Sequence, residues 1–348
     1  MGDMGEKPFD YWEFFIAECA LAGAPLYEKI ARGIADDVAL REFASHVRPG
    51  QPPANLLLGA VHYLLLRGAE HPLKRFYPNL NGGRRIENED PFPAFADFVE
   101  KHRGELAPVI AARVTNTNEV GRSALLHAGF RTVANEAGGP LNLIEIGPSA
   151  GLNLIWDKYG VRYRLGDQVI QPEPDNAALV IDCELRGAGT PPAGALPAVA
   201  SRVGLERNPV DLSRREDRDW LRALVWPDMV ERFARLERAI EIYSRERPSI
   251  IAGDALDLLP GALARAPESQ PVCVYHTMVV YQFSPQMREA LDNILTMAGL
   301  RRPIWRLGLE GTLQGENHLT LGRYSDGAKQ VRTLALCHPH GRWMDWRA

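Results

Sequence analysis

From Leu141 to Asn153 the chain reads Leu-Asn-Leu-Ile-Glu145-Ile-Gly147-Pro-Ser149-Ala-Gly151-Leu-Asn153. An apolar run closes on an acid, bends between glycines and resumes at helical spacing. This predicts a buried strand that hands over to a helix, the unit from which parallel α/β sheets are built. Gly147 permits a tight turn, and Gly151 lets the next segment pack close to the strand. N–H groups at a helix start have no intrahelical partner and can face a ligand. The pattern fits a structural turn as well as a cofactor loop, so the rest of the chain has to decide.

Around this centre the 348 residues change character. Residues 1–117 read as a helical cap or lid. Pro25 suits a first helical turn, with Leu26, Ile30, Ile34 and Val38 near a 3.6 period. Leu56, Leu57, Ala60, Val61, Leu64 and Leu65 form a second stripe, and a third helical segment covers about 92–113. Residues 118–348 read as one α/β domain. It carries an expected helix over 151–159 and an insertion of small β elements or loop at about 162–200. Further strands are expected at Val199–Glu206, Ser249–Ala252, Val272–Val280 and Ile304–Leu309. Ser284 and Pro285 are an N-cap and first helical residue ahead of a stripe at Met287, Leu291, Ile294, Leu295 and Ala298. At the end, Leu319–Tyr324 and Val331–Leu336 flank Ser325-Asp326-Gly327, which predicts an antiparallel hairpin with no helix between.

Composition narrows the partners. With 45% hydrophobic and 24% charged residues and a net charge of −4, no basic surface dominates; neither nucleic acid nor an anionic membrane is expected as a partner. The four cysteines, Cys19, Cys183, Cys273 and Cys337, are scattered and read as reduced thiols of a cytoplasmic protein. The polar start Met1–Lys7 lacks a signal-peptide pattern, and the apolar run from Leu56 to Leu66 is too short to span a bilayer.

The order of motifs resembles the class I S-adenosylmethionine-dependent methyltransferases, a Rossmann-like α/β fold with a terminal antiparallel hairpin. In that resemblance Glu145, Gly147, Ser149 and Gly151 match the first strand's acid and glycine loop, with Ser149 where the family has its middle glycine. Gly204-Leu-Glu206 resembles the second strand, whose acid grips the ribose hydroxyls; a carboxylate can accept both. Gly253-Asp254-Ala255 resembles the third motif, where the acid meets the adenine amino group. More narrowly, the whole chain resembles an uncharacterised bacterial family of unknown function that joins a helical amino-terminal region to such a core. The matching passages are Asn118–Arg122, Glu145–Asn153, Trp220–Pro227, Gly253–Ala255 and His338–Trp343. The resemblance implies S-adenosylmethionine as cofactor and methyl transfer to an unidentified small molecule.

The remaining chemistry leaves alternatives open. Methyl transfer needs alignment and exclusion of water, and an oxygen or nitrogen acceptor also needs a base. His276, at the end of the fourth strand, is the candidate base, or else a hydrogen-bonded structural histidine. Tyr275 and Tyr281 are candidates to face cofactor or substrate, or else core aromatics. Arg122 either holds the cofactor's carboxylate or pairs with Glu119 or Glu145. Asn118 and Asn153 are possible polar contacts. His338 and His340 invite a metal, but no third ligand is evident at suitable spacing, and turn chemistry explains them as well. No Gly-x-Ser-x-Gly elbow or Walker loop is present, which leaves hydrolase and kinase readings without support. Two other functions remain: an NAD(P)-dependent oxidoreductase, which Gly147, Gly151 and Glu206 also suit, and a non-catalytic S-adenosylmethionine-binding sensor.

Overall fold

The computed structural model describes residues 10–312 and 316–348; the polar start read for targeting signals lies outside the described residues. In chain order the helices are α1 (Tyr11–Ala22), α2 (Pro25–Asp36), α3 (Val38–Ala44), α4 (Pro53–Leu66), α5 (Phe92–Lys101), α6 (Arg103–Ala112) and α7 (Ser123–Ala137). After them come α8 (Arg215–Ala223), α9 (Val230–Glu246), α10 (Ala255–Arg265) and α11 (Pro285–Gly299). The strands are β1 (Leu141–Ile146), β2 (Gly160–Leu165), β3 (Gln168–Glu173), β4 (Val180–Arg186), β5 (Val199–Glu206) and β6 (Ser249–Ala252). They continue with β7 (Val272–Thr277), β8 (Ile304–Gly311), β9 (Asn317–Ser325), β10 (Ala328–Cys337) and β11 (Trp343–Trp346). Among the described residues no helix is long and apolar enough to cross a membrane.

The chain divides into two units. One holds the described residues up to Thr117 together with Ser213–Ala234; the other holds Asn118–Leu212 and Arg235–Ala348. The segment 213–234, read in the sequence as part of the α/β domain, therefore belongs with the helices. Its Trp220, Ala223 and Leu224 are buried in one apolar cluster with Ile30, Leu57 and Phe98. In this unit Asp10 caps α1, accepting from the Trp12 N–H at 2.8 Å, and Gly23 at φ 70° ends it. Pro25 opens α2 as expected, but Val38 does not extend its stripe. Asp37 is extended and accepts from the Leu40 N–H, which starts a new helix and leaves Val38 78% exposed. The segment expected over 92–113 is likewise two helices, interrupted at His102.

The second unit contains a mixed sheet in the order β3-β2-β4-β11-β10-β9-β8-β7-β1-β5-β6. Strands β6, β5, β1, β7 and β8 are parallel neighbours, and β9 lies antiparallel to β8. Taken alone, β1, β5, β6, β7, β8 and β9 follow the order 3-2-1-4-5-6 of dinucleotide-type sheets, with the sixth strand reversed. Chain order switches direction between β1 and β7, so a ligand crevice is expected beyond the carboxyl ends of those two strands. The expected terminal hairpin is β9–β10, turned by Asp326 and Gly327 at φ 54° and 75°. Ser284 caps α11, accepting from the Met287 N–H, again as its local sequence indicates.

The insertion is a β element that joins the same sheet at its far side. β4 pairs in parallel with β11, β2 with β4, and β3 with β2. The helix expected over 151–159 is instead a 3-10 stretch, Leu152–Lys158, broken at Ile155. Its carbonyls are claimed by side chains from elsewhere. Tyr159 donates to Leu152 O, Tyr275 to Asn153 O, Arg202 to Leu154 O and His127 to Trp156 O. Trp156 O also accepts from the Tyr159 N–H, so the stretch keeps its 3-10 turns while Tyr275, Arg202 and His127 anchor it from elsewhere in the chain.

Two buried histidines couple each unit to pH. Burial lowers His62 to about 4 and His127 to about 3. Unfolded chains bind these protons near pH 6.5, and the folded chain does not. Their contribution is therefore complete above about 6.5 and is lost as pH falls, on the order of 3 kcal/mol each. Thermal melts should show a steady fall in Tm from pH 7 to pH 4.5 that His127→Gln reduces in slope; a flat profile would contradict this account.

Candidate functional site

The loop after β1 is set by three residues in the left-handed region: Gly147 at φ 67°, Ser149 at 57° and Gly151 at 82°. Only Ser149 carries a side chain there, and it is held from outside. Glu206, ending β5, accepts from the Ser149 N–H through Oε2 at 2.8 Å and from the Asn208 N–H through Oε1 at 2.9 Å. The Glu206 carbonyl in turn accepts from the Gly253 N–H at 2.9 Å. Asp254 follows directly. Its Oδ1 caps α10 by accepting from the Leu256 N–H, and its Oδ2 pairs with Arg207. Partial burial pushes the Asp254 carboxyl up, but those bonds hold it below its ordinary value. Ser149, Glu206, Asp254 and Ala255, the first residue of α10, are therefore gathered at one edge.

The glycines of the loop answer to packing. A Cβ on Gly147 would stand 2.7 Å from Val279 Cγ2, and one on Gly151 2.9 Å from Ile250 Cδ1. Gly204 of β5 is needed as well, since its Cβ would meet Pro148 Cγ at 2.6 Å.

Glu145 does not share that edge. It points with Tyr275 into the face of the sheet, 1% exposed, and Tyr275 Oη lies 3.0 Å from its Oε2 and 3.2 Å from the Asn153 carbonyl. Burial raises Glu145 to about 8, with the Glu206 charge adding to the rise. Protonated, Glu145 donates to Tyr275 Oη, and Tyr275 passes its own proton to Asn153 O, so every group in the chain has a partner. Tyr275 is completely buried against Phe130, their ring centroids 5.0 Å apart, and is a core aromatic. Asn153 is also completely buried, bonded to Ser123 Oγ and the Glu119 carbonyl. Arg122 stitches backbone together: Nε donates to Pro339 O at 2.9 Å and Nη1 to Thr277 O at 3.2 Å. These four residues, expected to contact a cofactor, build the support beneath the edge.

His276 faces the opposite side of the sheet from Tyr275, as the two-residue period of a strand requires. It is 2% exposed and both ring nitrogens are engaged, Nδ1 with Glu310 Oε1 at 2.5 Å and Nε2 with Arg306 Nε at 3.0 Å. Since arginine only donates, Nε2 is an acceptor and Nδ1 carries the proton. Burial keeps this ring neutral by lowering its pKa. As it stands, His276 has no free lone pair with which to act as a base; it orients Glu310.

Glu310 is the residue the sequence reading missed. Its carboxylate accepts from the N–H groups of Val279, Val280 and Tyr281 at 3.0–3.1 Å and so holds the loop that leaves β7 through Met278 at φ 58°. Burial pushes Glu310 up, yet His276 and those N–H groups keep it below its ordinary value. A signal was present: Leu307-Gly-Leu-Glu310-Gly311 ends a strand on an acid and a glycine, as Leu143-Ile-Glu145-Ile-Gly147 does. Tyr281, carried on the held loop, is 52% exposed.

Two sequence passages singled out separately meet here. The Gly121 and Gly341 backbones pack so closely that a Cβ on Gly341 would stand 2.0 Å from Gly121 O. His338 Nδ1 accepts from the His340 N–H at 3.0 Å, which is turn chemistry. Among the described residues no group of three or more His, Cys, Asp or Glu is placed to hold a metal.

The Glu145 proton gives a test. It is retained to about 8 in the folded chain but lost near 4.5 when unfolded. This contribution is full below 4.5 and disappears as pH rises through 8. Glu145→Gln keeps a donor toward Tyr275, so its Tm relative to the parent should rise by several degrees from pH 5 to pH 9; an equal difference at both would refute the protonated chain.

No curated protein matches the sequence. A family model described as "Uncharacterized protein conserved in bacteria (DUF2332)" matches residues 12–346, and the chain belongs to that family.

Proposed function

We propose that the α/β unit binds S-adenosylmethionine along the carboxyl edge of β1, β5 and β6 and transfers its methyl group to a small molecule. The observation that carries this reading is the union of Glu206, the Ser149 loop and Asp254 at one edge. Each Glu206 oxygen takes one backbone N–H and keeps a second acceptor position, so the carboxylate can hold its loop and accept ribose hydroxyls together. Asp254, its side chain one-third exposed, can accept from an adenine amino group. These residues fit an adenosyl group; Glu145 and Tyr275, buried beneath, do not.

When bound, the cofactor supplies an electrophilic methyl group. The chain's part is to orient and shield. Glu310 fixes the loop after β7, and Tyr281 on that loop is the residue we assign to the acceptor side. His276 and Arg306 act through Glu310 as positioning residues.

A nicotinamide dinucleotide would be expected to rest its pyrophosphate on a helix start after the glycine loop. Here that segment is a broken 3-10 stretch, and its Leu152 N–H is already taken by Asn118 Oδ1 at 2.9 Å. An S-adenosyl group has no phosphate to place, which favours it over NAD(P). A non-catalytic sensor would use the same site without turnover.

Calorimetric titration with S-adenosylhomocysteine should give saturable heat, and Asp254→Asn and Glu206→Gln should each weaken it at least tenfold. Absence of heat at millimolar ligand with folded protein would count against the assignment, and tight NADH binding seen by fluorescence would reverse the order of the two cofactors.

A further inference from the structure

The passage Trp220–Pro227 takes no part in the edge just described, yet it delivers Asp228 into the helical unit. Asp228 is 5% exposed, and its Oδ2 accepts from the Leu26 N–H at 3.2 Å at the start of α2. That helix has no local side-chain cap, and Pro25 has no N–H. The other oxygen, Oδ1, is buried without a hydrogen-bond partner. So is Tyr77 Oη, close enough for the Asp228 charge to raise the phenol. Burial pushes Asp228 itself up to about 6, against the opposing influence of Arg85 and of the nearby backbone N–H groups of Leu26, Tyr27 and Asp228. Buried polar atoms are almost always partnered, and an orphaned carboxylate oxygen calls for a donor from outside the chain.

There is space for one. Asp228 lines a cavity of about 40 Å³ with Lys29, Phe76, Arg85, Ile86 and Glu87. A single water needs roughly 10–15 Å³ by this kind of measure, so the cavity admits a group of several heavy atoms. Its charges are paired in kind. The buried acid is at one end; at the mouth are Lys29, which donates to the Glu87 carbonyl at 2.7 Å, and the exposed Arg85, which reaches the Asp228 carbonyl at 3.5 Å. A buried carboxylate is best matched by a positive donor, and the two cations at the mouth favour a negative group.

We propose that this cavity binds the head of a small α-amino acid, its ammonium on Asp228 Oδ1 and its carboxylate toward Arg85 and Lys29. The site lies wholly in the helical unit and is independent of the methyltransferase reading. Glycine is the probe, titrated calorimetrically into the full-length protein, with methylamine and acetate as half-molecules. Saturable glycine binding is expected, at least tenfold tighter than either half-molecule. Asp228→Asn, which keeps an acceptor for the Leu26 N–H, should weaken it at least tenfold. Arg85→Gln at the exposed rim, where folding is not at stake, should weaken it several-fold. The proposal is overturned by an absence of glycine binding, by methylamine or acetate matching glycine, or by an affinity that neither substitution changes. Titration with S-adenosylhomocysteine on the same protein reports separately on the other site.

Discussion

Backbone N–H groups at the carboxyl edge of the sheet are satisfied by carboxylates, and the loops depend on that exchange. Glu206 takes two, from the turns after β1 and β5; Glu310 takes three from the turn after β7; Asp254 takes the Leu256 N–H at the start of α10. Bonds donated to a charged acceptor are stronger than those between neutral groups. Loops held this way can keep Ser149 and Met278 in left-handed conformations that side chains ordinarily avoid. The same device recurs in the helical unit, where Asp228 stands in for the missing cap of α2.

Beneath the edge a different rule applies. Glu145, Tyr275 and Asn153 form a buried chain in which neutrality replaces charge, because the cost of burying the carboxylate outweighs the Arg122 charge that favours ionisation. The acid that a motif comparison would place against a cofactor is thus an internal donor. Of the acids one and two strands away, Glu206 of β5 is buried but bonded to backbone N–H groups, and Asp254 after β6 is one-third exposed.

Local signals were legible in the sequence wherever the relevant chemistry is local. Asp326-Gly327 specifies a turn with two positive φ values, and Ser284-Pro285 specifies a helix start; both stand as read. The run from Leu141 to Ile146 is a buried strand for the same reason. Failures share a cause: partners distant in sequence. The stretch after Gly151 has helical spacing, but Arg202 and Tyr275 arrive from β5 and β7 to take its carbonyls. Trp220 and Leu224 stand at helical spacing in the sequence, but spacing does not say which core receives them. Of the candidate site, Glu206, Ser149 and Asp254 lie at one edge, while Glu310 escaped notice because the N–H groups it serves are about thirty positions earlier. Tyr275 and His276 could have been separated in advance, since adjacent strand residues cannot face the same side.

The four-residue strand β11 joins the inserted β2–β3–β4 element to β10. Those three strands follow directly after β1 in sequence, but their place in the sheet exists only once β11 has taken its position. The outer edge of β4 therefore stays unpaired until β11, far later in sequence, takes its place beside it. Without Trp343–Trp346 there would be two separate sheets where there is one.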